Sequence, residues 1–474
     1  MKNILVIGAT IALSTTLLAA TNAPTVQVSS KNLYKMSYSE ILNNNIQYFK
    51  YGVGVDPITN LPYDHITLDS SLTQITNTGK FFNPTEAGLY LDVLMAVAKN
   101  EIPNTVMTPA QAKVRMIKTL NSLIKIQDTL GWNGLFNWYQ IMPNGQIAPN
   151  GYGGVSSVDN GNMAFGLAAV IGGMAQYNDS ESKEIVKLGS QILNSETTGW
   201  SQLYSPQKGL LMAGYDYNNK QVMNYYIDRT YNETRSSVIW AILTTKDLPS
   251  GYSVPVTAFS NMTRTFTPYT LGGANTNILM TWDGSIFQAF LPQLFINETE
   301  YSPFIKLEDS LNLQAQQVFC KDNGIPALLS AASTVGYYGY STYGVPNLAE
   351  THVVGGGGEN SSAGTPYANA LIGPSNLKYA VNSLQGLAQN YPQVVTPYGF
   401  IDAIDAQGKT ANTLIALDQE FLLLGLLGKD NQNDVQIYLK QQGDMALLKN
   451  IYASINSSKI PSGNSVVSVS GASN

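Results

Sequence analysis

The chain of 474 residues is long enough for one large domain and carries a net charge of −6. Only 12% of its residues are Asp, Glu, Lys or Arg, about half the roughly 25% of typical soluble domains. With 26 Lys and Arg and no basic run, it lacks the positive footprint that nucleic acids require.

Its polar surface must therefore come from Asn, Gln, Ser, Thr, Tyr and backbone, which suits neutral, hydroxyl-rich ligands. The single Cys320 rules out an intrachain disulfide, and His65 and His352 are too few for a zinc cluster. No metal or other cofactor is expected, and carboxylates are left to carry any chemistry.

In chain order, the N-terminus reads as a secretory signal. Lys2 precedes an apolar stretch over 4–20, with small residues at Ala19, Ala20 and Ala23 and a cut after Ala20 or Ala23. Residues 1–23 are assigned to this signal, so a periplasmic or secreted product without stable membrane insertion is expected. Helical periodicity follows over 85–100, where Leu89, Val93 and Ala96 share a face. The next helix starts at Thr108-Pro109, an N-cap followed by Pro at the first helical position. Further helices are expected over 159–171, 179–192, from 232, and over 285–295, 375–389, 413–427 and 434–442.

Between them lie Gly/Tyr/Asn-rich connections at 143–157, 334–343 and 354–365, whose aromatics suggest ordered, ligand-facing loops. The run Gly355 to Gly358 reads as a lid or turn, since it lacks the Lys-Ser/Thr of a phosphate loop. A Ser/Gly/Val-rich tail over 457–474 is expected to be flexible. Paired helices with short and long loops alternating suggest an all-α toroid over 24–456, a monomer, with the long loops gathered at one end.

Several carboxylates stand out. Asp159 in Val-Asp-Asn-Gly-Asn and Asp283 in Thr-Trp-Asp-Gly-Ser both precede apolar helices, where an N-cap is the competing reading. Glu233 is flanked by Arg229 and Arg235, and an ion pair would disqualify it as an acid by lowering its pKa. Asp402 and Asp405 follow an aromatic turn, and Asp418 falls inside an apolar helix, where it must be paired, hydrogen-bonded or neutral. Two carboxyls are the minimum for glycoside hydrolysis, one to protonate the leaving oxygen and one to activate water or attack the anomeric carbon. Trp132, Trp138, Tyr139, Trp282 and Tyr398 are candidate platforms for sugar rings, with core packing as the alternative for each.

The motifs from about Phe81 to Gly428 resemble those of the glycoamylase-like proteins, which include bacterial endo-β-1,2-glucanases and the homologous domain of cyclic β-1,2-glucan synthases. They are Thr85-Glu-Ala-Gly-Leu-Tyr-Leu, Gly134-Leu-Phe-Asn-Trp-Tyr, Ser157-Val-Asp-Asn-Gly-Asn-Met-Ala and Glu233-Thr-Arg, and then Trp282-Asp-Gly-Ser-Ile-Phe-Gln-Ala-Phe-Leu-Pro, Pro397-Tyr-Gly-Phe-Ile-Asp-Ala and Ile415-Ala-Leu-Asp-Gln-Glu. The resemblance implies an (α/α)6 toroid, an oligo- or polysaccharide substrate, most closely a β-1,2-type glucan, and a cleft where the long loops meet. It places Asp159, Glu233, Asp283 and Asp402 at the site, with Asp418 in support, and Glu233 as acid and Asp402 as base are the expected roles. Trp138, Tyr139, Arg235, Trp282 and Tyr398 are expected to bind substrate.

One departure stands out. Where the family usually carries an acid before the long aromatic loop, this chain reads Leu328-Leu-Ser-Ala-Ala-Ser-Thr, with Ala331 at that place. Glu233 or Glu350 would then supply the acid; otherwise the substrate differs, or the protein binds glycans without cutting them. A lyase on a similar toroid is a weaker reading, because the chain is acidic and has few histidines.

Overall fold

The computed structural model describes residues 35–151, 154–336, 339–353 and 360–469. The expected signal peptide at 1–23 and the glycine run at 355–358 lie outside the described residues. Residues from Lys35 onward form one compact unit, built chiefly from helices in two kinds.

One kind is apolar all round, as a helix enclosed on every side must be. It comprises α1 (Pro84–Ala98), α3 (Ser157–Met174), α5 (Arg235–Thr245), α6 (Ile286–Phe290), α8 (Pro366–Ala370) and α10 (Ala416–Leu426). Every residue of α1 is buried, and α10 has only Leu417 partly exposed. The other kind is amphipathic and covers the first: α2 (Pro109–Leu130), α4 (Ser180–Ser195), α7 (Pro303–Asp322) and α9 (Gly373–Asn390). On α2 the buried stripe is Ala112, Met116, Leu120 and Leu123, at three- and four-residue spacing. Enclosed helices pack on one another in the series α8, α10, α1, α3, α5, while α2 packs on both α1 and α4, and α11 (Asp430–Gln441) lies against α3.

Local chemistry explains the helix starts. Asn83 and Glu86 form a reciprocal capping box with Pro84 at the first position, and Thr108 and Gln111 do the same ahead of Pro109. The same signal, Ser302-Pro303, opens α7, a helix absent from the sequence reading. The helix expected over 285–295 ends early as α6 and continues as a 3-10 turn through Leu294, because Pro292 cannot donate to an α-helical ladder.

Helix α1 crosses α3 almost backbone to backbone. A Cβ on Gly88 would come within 2.6 Å of the Met163 Cα, and one on Gly166 within 2.9 Å of the Gly88 carbonyl. Both glycines are therefore packing requirements in the middle of helices that would otherwise favour Ala.

The all-α expectation is corrected in the connections, which form short antiparallel sheets. Strand β1 (His65–Leu68) runs between β2 (Ile75–Gly79) and β5 (Thr413–Ile415), pairing His65 with both Gly79 and Ile415. The hairpin β3 (Arg264–Leu271) to β4 (Ala274–Leu279) turns on Gly272 and Gly273, both at positive φ as a tight hairpin demands. Within the tail expected to be flexible, β6 (Val467–Val469) adds to the free edge of β3. Unpaired backbone groups at a sheet edge readily take up such a strand.

Candidate active site

Strands β1 and β5, the start of α1 and the start of α3 together wall a cleft of about 540 Å³. Asp64, His65, Glu86 and Asp159 line it, with Phe81, Trp138 and Tyr340 as its aromatic surfaces. The His65 Nδ1 lies 2.7 Å from Asp64 Oδ2, and its ring stands edge-on to Phe81. A Cβ on Gly79 would collide with that ring, so this glycine makes room for His65. Sequence reasoning missed Asp64, His65, Glu86 and Tyr340; the one signal available was Glu86 within the α1 motif.

Asp159 is not a helix cap. Ser156 caps α3, and Asp159 sits in the first turn with its carboxylate turned to the cleft. Thr85 Oγ1 and Trp138 Nε1 both donate to it at 2.8 Å. Burial raises its pKa, and the Trp138 and Thr85 donors pull it partly back. Trp138 is thus doubly used: its indole N–H fixes Asp159, while its ring lies parallel to Phe81 at 6.4 Å and forms cleft wall. Asp283 is not the cap of α6 either, a role filled by Ser285. It is buried, and its Oδ1 accepts from the Ser285 N–H at 3.0 Å.

Glu233 stands just before α5 with its Oε2 enclosed and without a hydrogen-bond partner. Its pKa is pushed up to about 8, first by burial and then by the charges of Asp283 and Asp159. Neither flanking arginine pairs with it. Arg229 binds Asp228 and, at 3.0 Å, Glu350, which removes Glu350 as a free acid. Arg235 is fully buried, forked onto Glu298 with its Nη2 at 2.6 Å. Its remaining N–H groups go to the carbonyls of Asn232, Gln288 and Ala289.

Arg235 was expected to bind substrate; instead it ties α5 to α6 from inside the fold. Tyr139 is corrected in the same way. It is 0% exposed, packs on Phe82, and directs its hydroxyl to the Leu130 carbonyl. Tyr398 donates to the Thr73 carbonyl at 3.3 Å, a loop contact away from the residues that line the cleft. Trp282 is 44% exposed, with the Arg229 guanidinium 5.3 Å from its ring centre. Trp132 stacks on Tyr215 at 4.4 Å.

Asp402 is only 1% exposed and lies directly behind the cleft wall. Ser333 Oγ donates to its Oδ2 at 2.8 Å, the Ile415 N–H to its Oδ1 at 3.1 Å, and both donors belong to lining residues. Behind it, Asp418 shares a hydrogen bond with Asp402; burial raises both carboxyls, and the charge of Asp402 raises Asp418 further. Asp405, three residues on, accepts from Gln407 and Lys409 in a surface turn and takes no part. Tyr340 stands at the rim of the cleft, 59% exposed. Of the four carboxylates singled out in the sequence, Asp159 lines the cleft, Asp402 is bonded to two of its lining residues, and Glu233 and Asp283 are not among the lining residues, although the charges of Asp283 and Asp159 reach Glu233. Among the described residues, no group of three or more His, Cys, Asp and Glu is placed to hold a metal ion. No described helix is long and apolar enough to cross a membrane.

No protein-family model matches the sequence, and no curated protein matches it either. Solved structures do. A mutant endo-β-1,2-glucanase from Talaromyces funiculosus in complex with β-1,2-glucan superposes with a TM-score of 0.77 at 14% identity, covering 91% of each chain. The enzyme from the same organism bound to sophorose gives 0.78, also at 14% identity, over 90% of each chain. The endo-β-1,2-glucanase of Chitinophaga pinensis, crystallised with sophorotriose and glucose, gives 0.65 at 18% identity over 85% of this chain and 97% of its own. The chain therefore shares the fold of the endo-β-1,2-glucanases, across most of its length.

Proposed function

We propose that the protein is an exported, monomeric glycoside hydrolase that cuts a β-1,2-linked glucan on an (α/α)6 toroid, with the cleft at the mouth of the ring. The observation that carries this reading is Glu233: an enclosed carboxyl, pushed up to about 8, whose two neighbouring arginines are engaged elsewhere. A carboxyl in that state keeps its proton at neutral pH and can give it to a leaving glycosidic oxygen.

Asp402 is the base. Burial pushes Asp402 up to about 8, as it does Glu233, so Asp402 acts as base in the ionised fraction that grows as pH rises toward 8. Asp159, held by Trp138 and Thr85, presents its carboxylate to sugar hydroxyls in the cleft, and Asp283 stabilises the proton on Glu233 through its charge. Trp138, Tyr340 and Trp282 offer apolar faces to sugar rings. Ala331, where the resembled family carries an acid, is buried, and Glu233 takes over its duty.

Incubating the protein with a panel of β-glucans and measuring new reducing ends tests this. The expected result is cleavage of β-1,2-glucan, with Glu233→Gln and Asp402→Asn each lowering kcat at least about 100-fold. Binding of β-1,2-glucan oligosaccharides without cleavage by the unaltered protein would leave a noncatalytic glycan-binding protein.

A further inference from the structure

Asp402 is not among the residues that line the cleft, and its surroundings are accounted for by the Ile415 N–H on Oδ1, the Ser333 hydroxyl on Oδ2 and Asp418 behind. Of these three neighbours, Asp418 does not line the cleft either. The Ile415 amide does border the cleft, but it has no lone pair with which to accept a proton. Ser333 borders the cleft as well, and its hydroxyl both donates to Asp402 and keeps lone pairs to accept. Its position is fixed by backbone pairing with Tyr340, across the two-stranded ladder Ala332–Ser333 and Tyr340–Ser341.

We propose that the Ser333 hydroxyl relays the proton of the attacking water to Asp402. The inference rests on Asp402 being the base, as argued above. As the water oxygen bonds to the anomeric carbon, one water proton passes to Ser333 Oγ while the proton already on Ser333 passes to Asp402 Oδ2. The bond from the anomeric carbon to the glycosidic oxygen breaks, and that oxygen takes the proton of Glu233. Serine ends as it began, Asp402 has gained a proton and Glu233 has lost one, and exchange with solvent resets both.

The experiment measures kcat and KM on β-1,2-glucan for Ser333→Ala, Ser333→Cys, Ser333→Thr, Asp402→Asn and the double variant Ser333→Ala/Asp402→Asn. Ser330→Ala is the comparator, since Ser330 is equally buried and hydrogen-bonded to Tyr367 but makes no bond to Asp402. The relay predicts a kcat about 100-fold lower in Ser333→Ala, with KM within about twofold. Ser333→Cys, which keeps the packing but has a poor hydrogen-bonding group, should fall similarly, while Ser333→Thr and Ser330→Ala stay near the unaltered rate. Because serine and aspartate act as one unit, the double variant should be no slower than Asp402→Asn. Near-normal kcat in Ser333→Ala and Ser333→Cys beside an inactive Asp402→Asn would overturn the relay and leave the base in place. Losses that multiply in the double variant would also overturn it, as the mark of a merely structural serine. Normal kcat in Asp402→Asn would instead overturn the base assignment itself, and the relay with it.

Discussion

At the scale of single residues, Glu233 combines an enclosed Oε2 that no donor reaches with flanking arginines that pair elsewhere, and this has a consequence for stability as well as for catalysis. In an unfolded chain a glutamate loses its proton near pH 4.3, whereas in the folded protein Glu233 keeps its proton up to about pH 8. A raised pKa contributes stability that is complete below the unfolded value and is lost as pH rises through the folded one. Glu233→Gln does not titrate and keeps the shape. Its melting temperature should match that of the unaltered protein near pH 4 and exceed it increasingly between pH 5 and pH 8. A difference that shrinks with rising pH would show that the carboxylate is stabilised in the fold, and the acid role would go with it. Asp159 behaves differently because Trp138 and Thr85 donate to its charged form. Two carboxylates in one site are thereby set apart by their neighbours alone.

At the scale of elements, the cleft depends on how closely α1 and α3 approach, since Asp159 on α3 is bonded to Thr85 on α1. Gly88 and Gly166 set that distance. On propensity alone, Gly→Ala in a helix gains about 0.8–1 kcal/mol. Here the added methyl meets backbone, at 2.6 Å from the Met163 Cα for Gly88, and backbone cannot rotate away. Overpacking of this kind costs about 1–3 kcal/mol. Gly88→Ala is therefore expected to destabilise the protein by up to about 2 kcal/mol net in urea unfolding and to raise KM, because Asp159 moves with α3. An Ala variant as stable as the original would mean that the two helices separate without cost.

At the scale of the whole molecule, an unusual number of acids are enclosed without cations. Glu86, Asp92, Asp418 and Glu420 are each raised by burial first and then by a neighbouring acid: Asp64 for Glu86, Asp434 for Asp92, Asp402 for Asp418 and Asp92 for Glu420. Asp64, at the cleft, touches the field of Glu86 and Glu420, and Asp92 reaches that of Asp434, which is bonded to Lys99 at 2.5 Å. Glu86, Asp92, Asp418 and Glu420 resist losing protons, so their combined contribution declines as pH rises above about 4, where the unfolded chain ionises. On the surface the sign reverses: Asp69, Asp179 and Asp216 are lowered by hydrogen bonds, and the stability they give is lost as pH falls below about 4. A melting-temperature series should therefore peak on the acid side of neutrality and fall between pH 7 and pH 9. A maximum at pH 8 or above would mean that the buried acids carry compensating charges.

The sequence by itself determined many of the helix starts and suggested a chemical class. Capping residues and apolar spacing are local, so the starts of α1 and α2 could be read directly from Asn83, Pro84, Thr108 and Pro109. The low charge, the scarcity of histidine and the recurrent carboxylates beside aromatics already pointed to neutral sugars, and Asp159, Glu233, Asp283 and Asp402 could be picked out before any contact was known. What each of them does was decided only by tertiary structure, because protonation and access depend on groups distant in the chain. Arg235 looks like a substrate ligand beside Glu233, yet Glu298, 63 residues away, draws it into the core. Tyr139 looks like a sugar platform, yet strand pairing buries it. His65 and Asp64 carry no motif and enter the cleft only because β1 pairs with β5 from the far end of the chain. Whether a carboxyl is an acid, a base or a structural partner rests on who donates to it and what excludes water from it, and neither is written in its neighbours along the sequence.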